Sequence, residues 1–356
     1  MTKLTIDGEK FLIDGKPIHA GRLYNGKPVE GLLFNCRMVQ ATFDDENPET
    51  VGQWAYPDTG TWDADRNVNE FIAMLPEYLA YGCTGITINL QGGMPITKTE
   101  SVQPWLNTAI DPQGNLKPAY MDRLHRILKA ADEIGMVIIV GYYYFGQDKY
   151  MVDEEAIKRG TVNVSQWLLE TGLENILVEI NNESDIPHYK YEILLPARVH
   201  ELVEIAKDVS LDGRRLIVST SFSGGAYHMR KNGVLDRNDH ESLAKGLPTE
   251  RALAACDFAI VHTNEHDTAT TKEVVNRTRA LEAYKARPMP IVINEDSIAV
   301  ANLFAAAEVY APWGYYDQGD NNYCDGYQAP PVNWGINTPE KKKFFDGVAA
   351  ITGAKR

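Results

Sequence analysis

Two glutamates close apolar segments of this chain: Glu183 in Ile176 to Asp185 (ILVEINNESD) and Glu295 in Ile291-Val292-Ile293-Asn294-Glu295. The first segment is a run of strand-forming residues that ends abruptly in two amides and two acids. Strand alternation expects Leu177, Glu179, Asn181 and Glu183 on one face, with one carboxylate deep and the other at the strand's mouth. A solvated edge strand can also carry such acids. Ile176, Leu177, Val178 and Ile180, however, leave no solvent-facing alternation, so the strand is expected to be covered on both sides. Two facing carboxyl groups, one holding its proton near neutral pH and one ionised, can cleave a glycosidic bond.

The elements that must bring these residues together recur along the chain. Apolar segments at Gly31–Met38, Gly85–Leu90, Met136–Gly141, Ile176–Ile180, Leu216–Ser219, Phe258–Val261, Pro290–Ile293 and, more weakly, Ala311–Tyr316 read as strands. Stretches of helical spacing alternate with them: Asn69–Tyr81, Ala119–Ile134, Glu154–Thr171, Pro196–Val209, Glu250–Ala255, Lys272–Arg287, Asn302–Val309 and Pro339–Ile351. Eight such units predict a parallel sheet closed as an α/β (β/α)8 TIM barrel, a single domain over 1–356, with an open doubly wound sheet as the alternative. Ile6-Asp7-Gly8 and Ile13-Asp14-Gly15 predict a short N-terminal β-hairpin within 1–20, placed to plug one end.

Barrel sites form at the C-terminal ends of the strands. The candidates there are Arg37 and Gln40, Asn89 and Gln91, Tyr142 to Phe145, Asn181 to Asp185, Ser221 to Ser223, His262 to His266, Asn294 to Asp296, and Trp313 with Asp317. Amides, acids, histidines and aromatics suit a hydroxylated ligand with flat apolar faces, a sugar, better than a phosphate. Long βα loops carry further rings: Trp54, Tyr56 and Trp62 in Asp44 to Asp65, Trp105 in Met94 to Pro118, and Tyr323, Tyr327 and Trp334 in Asp317 to Trp334. Each of those rings can equally serve only to pack its loop onto the barrel.

Composition excludes other classes. The formal charge of −14 and the lack of a basic block disfavour nucleic acid. No apolar run approaches the roughly 18 residues of a membrane span. No GxGxxG or GxxxxGK[ST] follows any strand. Cys36, Cys83, Cys256 and Cys324 have no metal or redox spacing. Met1 leads into Thr-Lys-Leu-Thr-Ile-Asp-Gly, which lacks the features of a signal peptide, so a cytoplasmic location is expected unless a leader has been removed.

The Asn-Glu pair ending strand four and the second Glu ending strand seven resemble the clan A retaining glycoside hydrolases, especially the cellulase-like family five. Glu179 to Glu183 (E-I-N-N-E) is similar to that family's E-x-x-N-E, and Ile-Asp-Gly-Lys-Pro resembles its N-terminal plug. The resemblance implies Glu183 as acid/base, Glu295 as nucleophile, Asn182 on the sugar 2-hydroxyl and Trp313 lining the sugar subsite. Around these, Arg37, Gln91, Tyr143, His262 and Asn264 are expected to contact substrate. The chain departs from the family pattern where Asn89-Leu90-Gln91 replaces the strand-two Arg, Tyr143 falls near the strand-three His, His262-Thr263-Asn264 replaces His-x-Tyr, and Ser184 replaces Pro.

A retaining β-glycosidase acting on an oligo- or polysaccharide, with no metal or organic cofactor, is the expected function. A transglycosylase using the same glutamates and a non-catalytic carbohydrate-binding barrel are the alternatives. A metal hydrolase would draw on His188, His228, His240, His262 and His266, but no HxH or HExxH spacing occurs. Asp317, Asp320 and Asp325 match no EF-hand loop. Nothing in the sequence sets the oligomeric state. Glu179 is expected inside the barrel, paired with Arg37, because a buried carboxylate needs a cation or donor.

Overall fold

The structure, a computed structural model, describes residues 1–96 and 103–355; the Met94 to Pro118 loop lies partly outside them. Among the described residues the barrel strands are β1 (Asn35–Arg37), β2 (Gly85–Asn89), β3 (Val137–Tyr143), β4 (Ile176–Asn181), β5 in two pieces (Ile217–Ser219 and Ser221–Phe222), β6 (Ala259–His262), β7 (Ile291–Glu295) and β8 (Gly314–Tyr315). Ladders run in the order β8-β1-β2-β3-β4-β5 and again β5-β6-β7, all parallel. The two pieces of β5 flank Thr220 and carry the sheet from β4 to β6. The remaining seam, between β7 and β8, is tight: a Cβ on Gly314 would sit 2.5 Å from the carbonyl carbon of Asn294. Only glycine allows that approach. The Asn35 amide donates across the interior to Ile293 O at 3.0 Å. The fold is thus a closed (β/α)8 barrel.

The strands are Val/Ile-rich because both faces are covered. Val137, Ile139, Leu177, Phe258, Ile260 and Val292 fill the interior, and Leu4, Phe11 and Ile18 of the N-terminal segment seal it from below. That segment includes the antiparallel pair Leu4–Asp7 and Lys10–Ile13, and Phe11 meets Phe258 edge-on at 5.8 Å. The alternate residues Ile138, Val140, Val178 and Ile180 face the outer layer of helices.

Those helices are α1 (Ala64–Ala80), α2 (Pro118–Ile134), α3 (Glu154–Glu170), α4 (Val199–Asp208), α5 (Glu250–Ala255), α6 (Thr268–Ala280), α7 (Ala301–Glu308) and α8 (Pro339–Thr352). α1 starts well before the expected Asn69, because Asp63 caps it by accepting from the Asp65 and Arg66 amides. Its polar first turn carries no apolar spacing to read. The helix expected over Lys272–Arg287 is broken: Leu281 is extended, and Glu250 of α5 accepts from the amides of Glu282 and Ala283, starting a second short helix, Glu282–Ala286.

The long loops pack on themselves. Trp54 meets Phe43 and Trp105 edge-on, Tyr56 stacks on Trp62 at 5.7 Å, and Tyr327 stacks on Trp334 at 6.1 Å. Among the described residues, no helix is long and apolar enough to cross a membrane.

Candidate active site

Above the apolar interior lies a layer of buried polar side chains centred on Arg37 at the end of β1. Its guanidinium holds Glu295 of β7 at 2.5 Å through Nε, the Oδ1 of Asn182 at 2.6 Å through a second nitrogen, and Glu179 of β4 at 3.8 Å through the third. Arg37 and Glu179 are both fully buried. Glu179 also accepts from the Asn294 amide at 3.1 Å, and Glu295 from the Asn264 amide at 2.8 Å. One planar cation with fork geometry thus ties three strands together at a single level.

β4 ends at Asn181, and Glu183 stands in the turn beyond it with a left-handed backbone, φ 47°. A non-glycine residue is costly there unless its surroundings hold it. Ser221 of β5 does so, its Oγ accepting from Glu183 N at 2.8 Å and its carbonyl from Ser184 N at 2.9 Å. The turn aims Glu183 at His262 of β6, whose Nδ1 lies 2.9 Å from Glu183 Oε1 and 3.6 Å from Glu295 Oε2. Carboxylate oxygens of Glu183 and Glu295 lie within 4.8 Å of each other.

The two carboxyl groups are driven apart in proton affinity. Burial pushes Glu183 above its ordinary value, and the negative charge of Glu295 adds to this, more than offsetting the hydrogen bond and charge of His262. Burial acts on Glu295 in the same direction. There the Arg37 guanidinium, then His262 and the Asn264 amide, outweigh it and hold the group low. His262 is pulled down by burial, but the charges of Glu295 and Glu183 leave it raised. One carboxyl tends to keep its proton and its neighbour to lose it.

The expected site residues separate into three groups. Arg37, Asn182, Glu183, His262, Asn264 and Glu295 converge as described. Gln91 stands behind them, its Oε1 accepting from the Tyr144 amide at 3.1 Å. Tyr143 and Trp313 are corrections. Strict alternation from Gly141 would aim Tyr143 inward, but both Tyr142 and Tyr143 turn towards α3, bonding to Ser165 and to Ile157 O. The alternation therefore slips at the strand end, and Tyr144 reaches the cleft. Asn181 also leaves the face it was expected to share with Glu179, donating to Leu194 O. Trp313 precedes β8 and is too deep. It is wholly buried against Phe344, with its indole donating to Asp296 at 2.7 Å, while Tyr316 lines the cleft.

That cleft, of about 1630 Å³, has Glu183 and Glu295 in its floor and Tyr144, Phe145, Tyr227 and Tyr316 in its walls. Tyr227 carries no sequence signal, since it follows a loop with no apolar period. Asp296 also lines the cleft, raised by burial to about 6 despite donors from Ser297, Thr263, Trp313 and Asn302. Glu183, His262 and Glu295 are close enough together to ligate an ion. The Arg37 nitrogen at 2.5 Å and the Asn264 amide already occupy Glu295. A second cation would meet the guanidinium's charge there. Of the other candidate histidines, His266 bonds to Gly224 O, His228 to Asp185 and His240 to Glu273, while His188 lines the cleft outside the cluster of Glu183, His262 and Glu295.

In its fold, the barrel is similar to solved structures that include a family five glycoside hydrolase. The endo-1,4-β-mannanase of Rhizomucor miehei superposes with a TM-score of 0.60 at 13% identity, covering 99% of this chain and 100% of that one. The β-1,4-D-mannanase of Cryptopygus antarcticus gives 0.56 at 11%, covering 100% and 96%. A family five mannosidase of R. miehei, in its E301A mutant, gives 0.54 at 13%, covering 99% and 98%. No protein-family model and no curated protein sequence matches the chain.

Proposed function

We propose that this protein is a retaining glycoside hydrolase acting on β-linked oligo- or polysaccharides, with Glu295 as nucleophile and Glu183 as acid/base. The observation that carries the reading is the pair itself: carboxylate oxygens within 4.8 Å, with proton affinities driven in opposite directions. Retaining pairs stand about 5–5.5 Å apart, whereas inverting pairs leave about 6.5–9.5 Å for water. Glu295 attacks the anomeric carbon as Glu183 gives its proton to the leaving oxygen. Esterification removes the charge of Glu295, which had helped to hold the proton on Glu183, so Glu183 then serves as base for the incoming water. Buried polar atoms without a protein partner, Asn182 Nδ2 and Asn264 Oδ1, face this centre as groups able to bond sugar hydroxyls. Solved structures of this fold include mannanases, so a β-1,4-mannan is the first polymer to assay. Release of reducing sugar with retained anomeric configuration supports the reading, and no release from any β-glycan or aryl β-glycoside by folded protein refutes it.

The pH profile of kcat/KM follows from the same geometry. Activity falls on the acid side as Glu295 takes a proton, below the ordinary carboxylate range. On the alkaline side it falls as Glu183 loses its own, above that range. His262 lowers both groups, so in His262→Ala both limbs should move to higher pH. Unmoved limbs would remove His262 from the pair's electrostatics.

Turnover should also survive EDTA, since two carboxyl groups suffice for the reaction. Loss of activity restored by one divalent ion would count against the assignment.

A further inference from the structure

The two-glutamate reaction makes no use of Asp296, although that residue directly follows Glu295 and is almost wholly buried. Its carboxylate is crowded with donors. Oδ2 accepts from Thr263 Oγ1 at 2.5 Å, from the Trp313 indole at 2.7 Å and from the Asn302 amide at 3.1 Å, while Oδ1 accepts from Ser297 Oγ at 2.6 Å. Thr263 follows β6, Trp313 precedes β8 and Asn302 belongs to α7, so one side chain gathers the three elements around β7. A carboxylate taken out of water is tolerated where donors of this kind are already in place.

β7 needs to be held at this level on both sides. Against β6 it carries one extra residue: Val261 pairs with Ile293 and His262 with Glu295, which leaves Asn294 unopposed. A bulge of this kind re-aims the side chains beside it. Strict alternation would send Asn294 and Glu295 to opposite faces, yet the first donates to Glu179 and the second meets Arg37, both in the buried polar layer. On its other side, among the described residues, no ladder joins β7 to β8. The bond from Trp313 to Asp296 crosses that seam, and the Thr263 hydroxyl secures the β6 side just past the bulge.

We infer that Asp296 is a positioning residue: it clasps the bulged end of β7 to β6, β8 and α7, and so holds the Glu295 carboxylate in line for attack on the anomeric carbon. The inference rests on Glu295 being the nucleophile. It also accounts for the depth of Trp313, whose indole serves below the mouth of the barrel as a donor to the clasp.

The test follows covalent trapping by a fluorinated β-mannosyl or β-glucosyl fluoride, whichever labels the wild type, because trapping separates binding (Ki) from formation of the ester (ki). In Asp296→Ala, ki should fall about 10- to 100-fold, the cost of misplacing a reacting group by about an ångström or less, while Ki stays within about twofold. Asp296→Asn should keep ki within about threefold of wild type, since its amide oxygen can take the three donors on Oδ2 and the Ser297 hydroxyl can turn to accept from its nitrogen. A role through charge alone would leave the Asn variant as slow as the Ala variant. Thr263→Val, which removes one donor and leaves Asp296 in place, should lower ki about three- to tenfold, the scale of a single hydrogen bond. Thr263→Ser should restore it, and this pair carries the test if Asp296→Ala does not fold. Unchanged ki in Asp296→Ala or in Thr263→Val, or an Asn variant as slow as the Ala variant, overturns the clasp while the label still maps to Glu295. A label on another residue, or none from either reagent, would instead sink the reading beneath it.

Discussion

Glu295→Ala is expected to lose turnover on every substrate, by about four orders of magnitude or more, the scale on which removing a covalent nucleophile acts in other hydrolases. Glu183→Ala should behave differently. A dinitrophenolate departs without a proton, so formation of the glycosyl-enzyme from that substrate should proceed, and breakdown of the ester, now without a base, should become limiting. Natural glycosides need the proton, and their cleavage should fall by about 10²–10⁴-fold. Azide needs no base. It fits the space left by the missing carboxylate, should restore turnover of the activated substrate in Glu183→Ala, and should give a β-glycosyl azide, the product of two inversions. The structure adds a pH signature. With Glu183 gone, the alkaline limb should vanish from the step that forms the ester, while the acid limb set by Glu295 stays. Equal losses in the two variants on all substrates, or an azide product of inverted configuration, would reject the assignment.

How much of this could be read from the chain depends on which physical signal each residue carries. The Val/Ile runs and the helical periods between them predict a (β/α)8 barrel, because burial on both faces of a parallel strand leaves a continuous apolar record. Glu183 and Glu295 stand where such runs stop, which is legible without any structure. The pairing of Glu179 with Arg37 was also accessible, since a carboxylate inside the barrel needs a cation and Arg37 is the arginine at a strand end. What alternation cannot convey is the last residue or two of a strand. Tyr142 and Tyr143 both face α3, and Asn181 turns away from Glu179's side. The strand-end residue delivered to the cleft is therefore Tyr144, while Asn182 sits buried beside Arg37, each displaced from the position that strict alternation assigns. Glu183 reaches its place through a left-handed turn rather than a strand face. Trp313 misleads for a related reason: β8 begins only at Gly314, so the tryptophan lies below the mouth. Loop aromatics such as Trp54 and Trp62 read alike whether they meet a ligand or other loop rings, and here Trp54 packs on Phe43 and Trp105, and Trp62 on Phe43 and Tyr56.

Arg37→Met should produce the largest loss of stability in the molecule outside its apolar core. The guanidinium is the cation that reaches Glu179, and it does most to hold Glu295 ionised. Removing it leaves two buried carboxylates with amide partners, Asn294 and Asn264, and with His262 beside Glu295 alone. Breaking a buried pair in this way costs about 3–5 kcal/mol, because the orphaned charge remains where water cannot reach it. Urea unfolding at neutral pH should show the deficit as a lower midpoint at unchanged slope. Activity should suffer separately. Without Arg37, Glu295 takes up its proton at higher pH, so the acid limb of the pH profile should move upward in whatever fraction stays folded. Arg37→Lys should recover part of the stability and little of the activity, since an ammonium can meet one carboxylate but cannot span Glu179, Asn182 and Glu295 in one plane. Adding Glu179→Gln to Arg37→Met separates the roles: a neutral amide needs no counter-charge, so stability should return in part while the acid limb stays displaced. If Arg37→Met unfolds at the wild-type midpoint, or if Glu179→Gln restores nothing, Arg37 is not what neutralises the floor of this site.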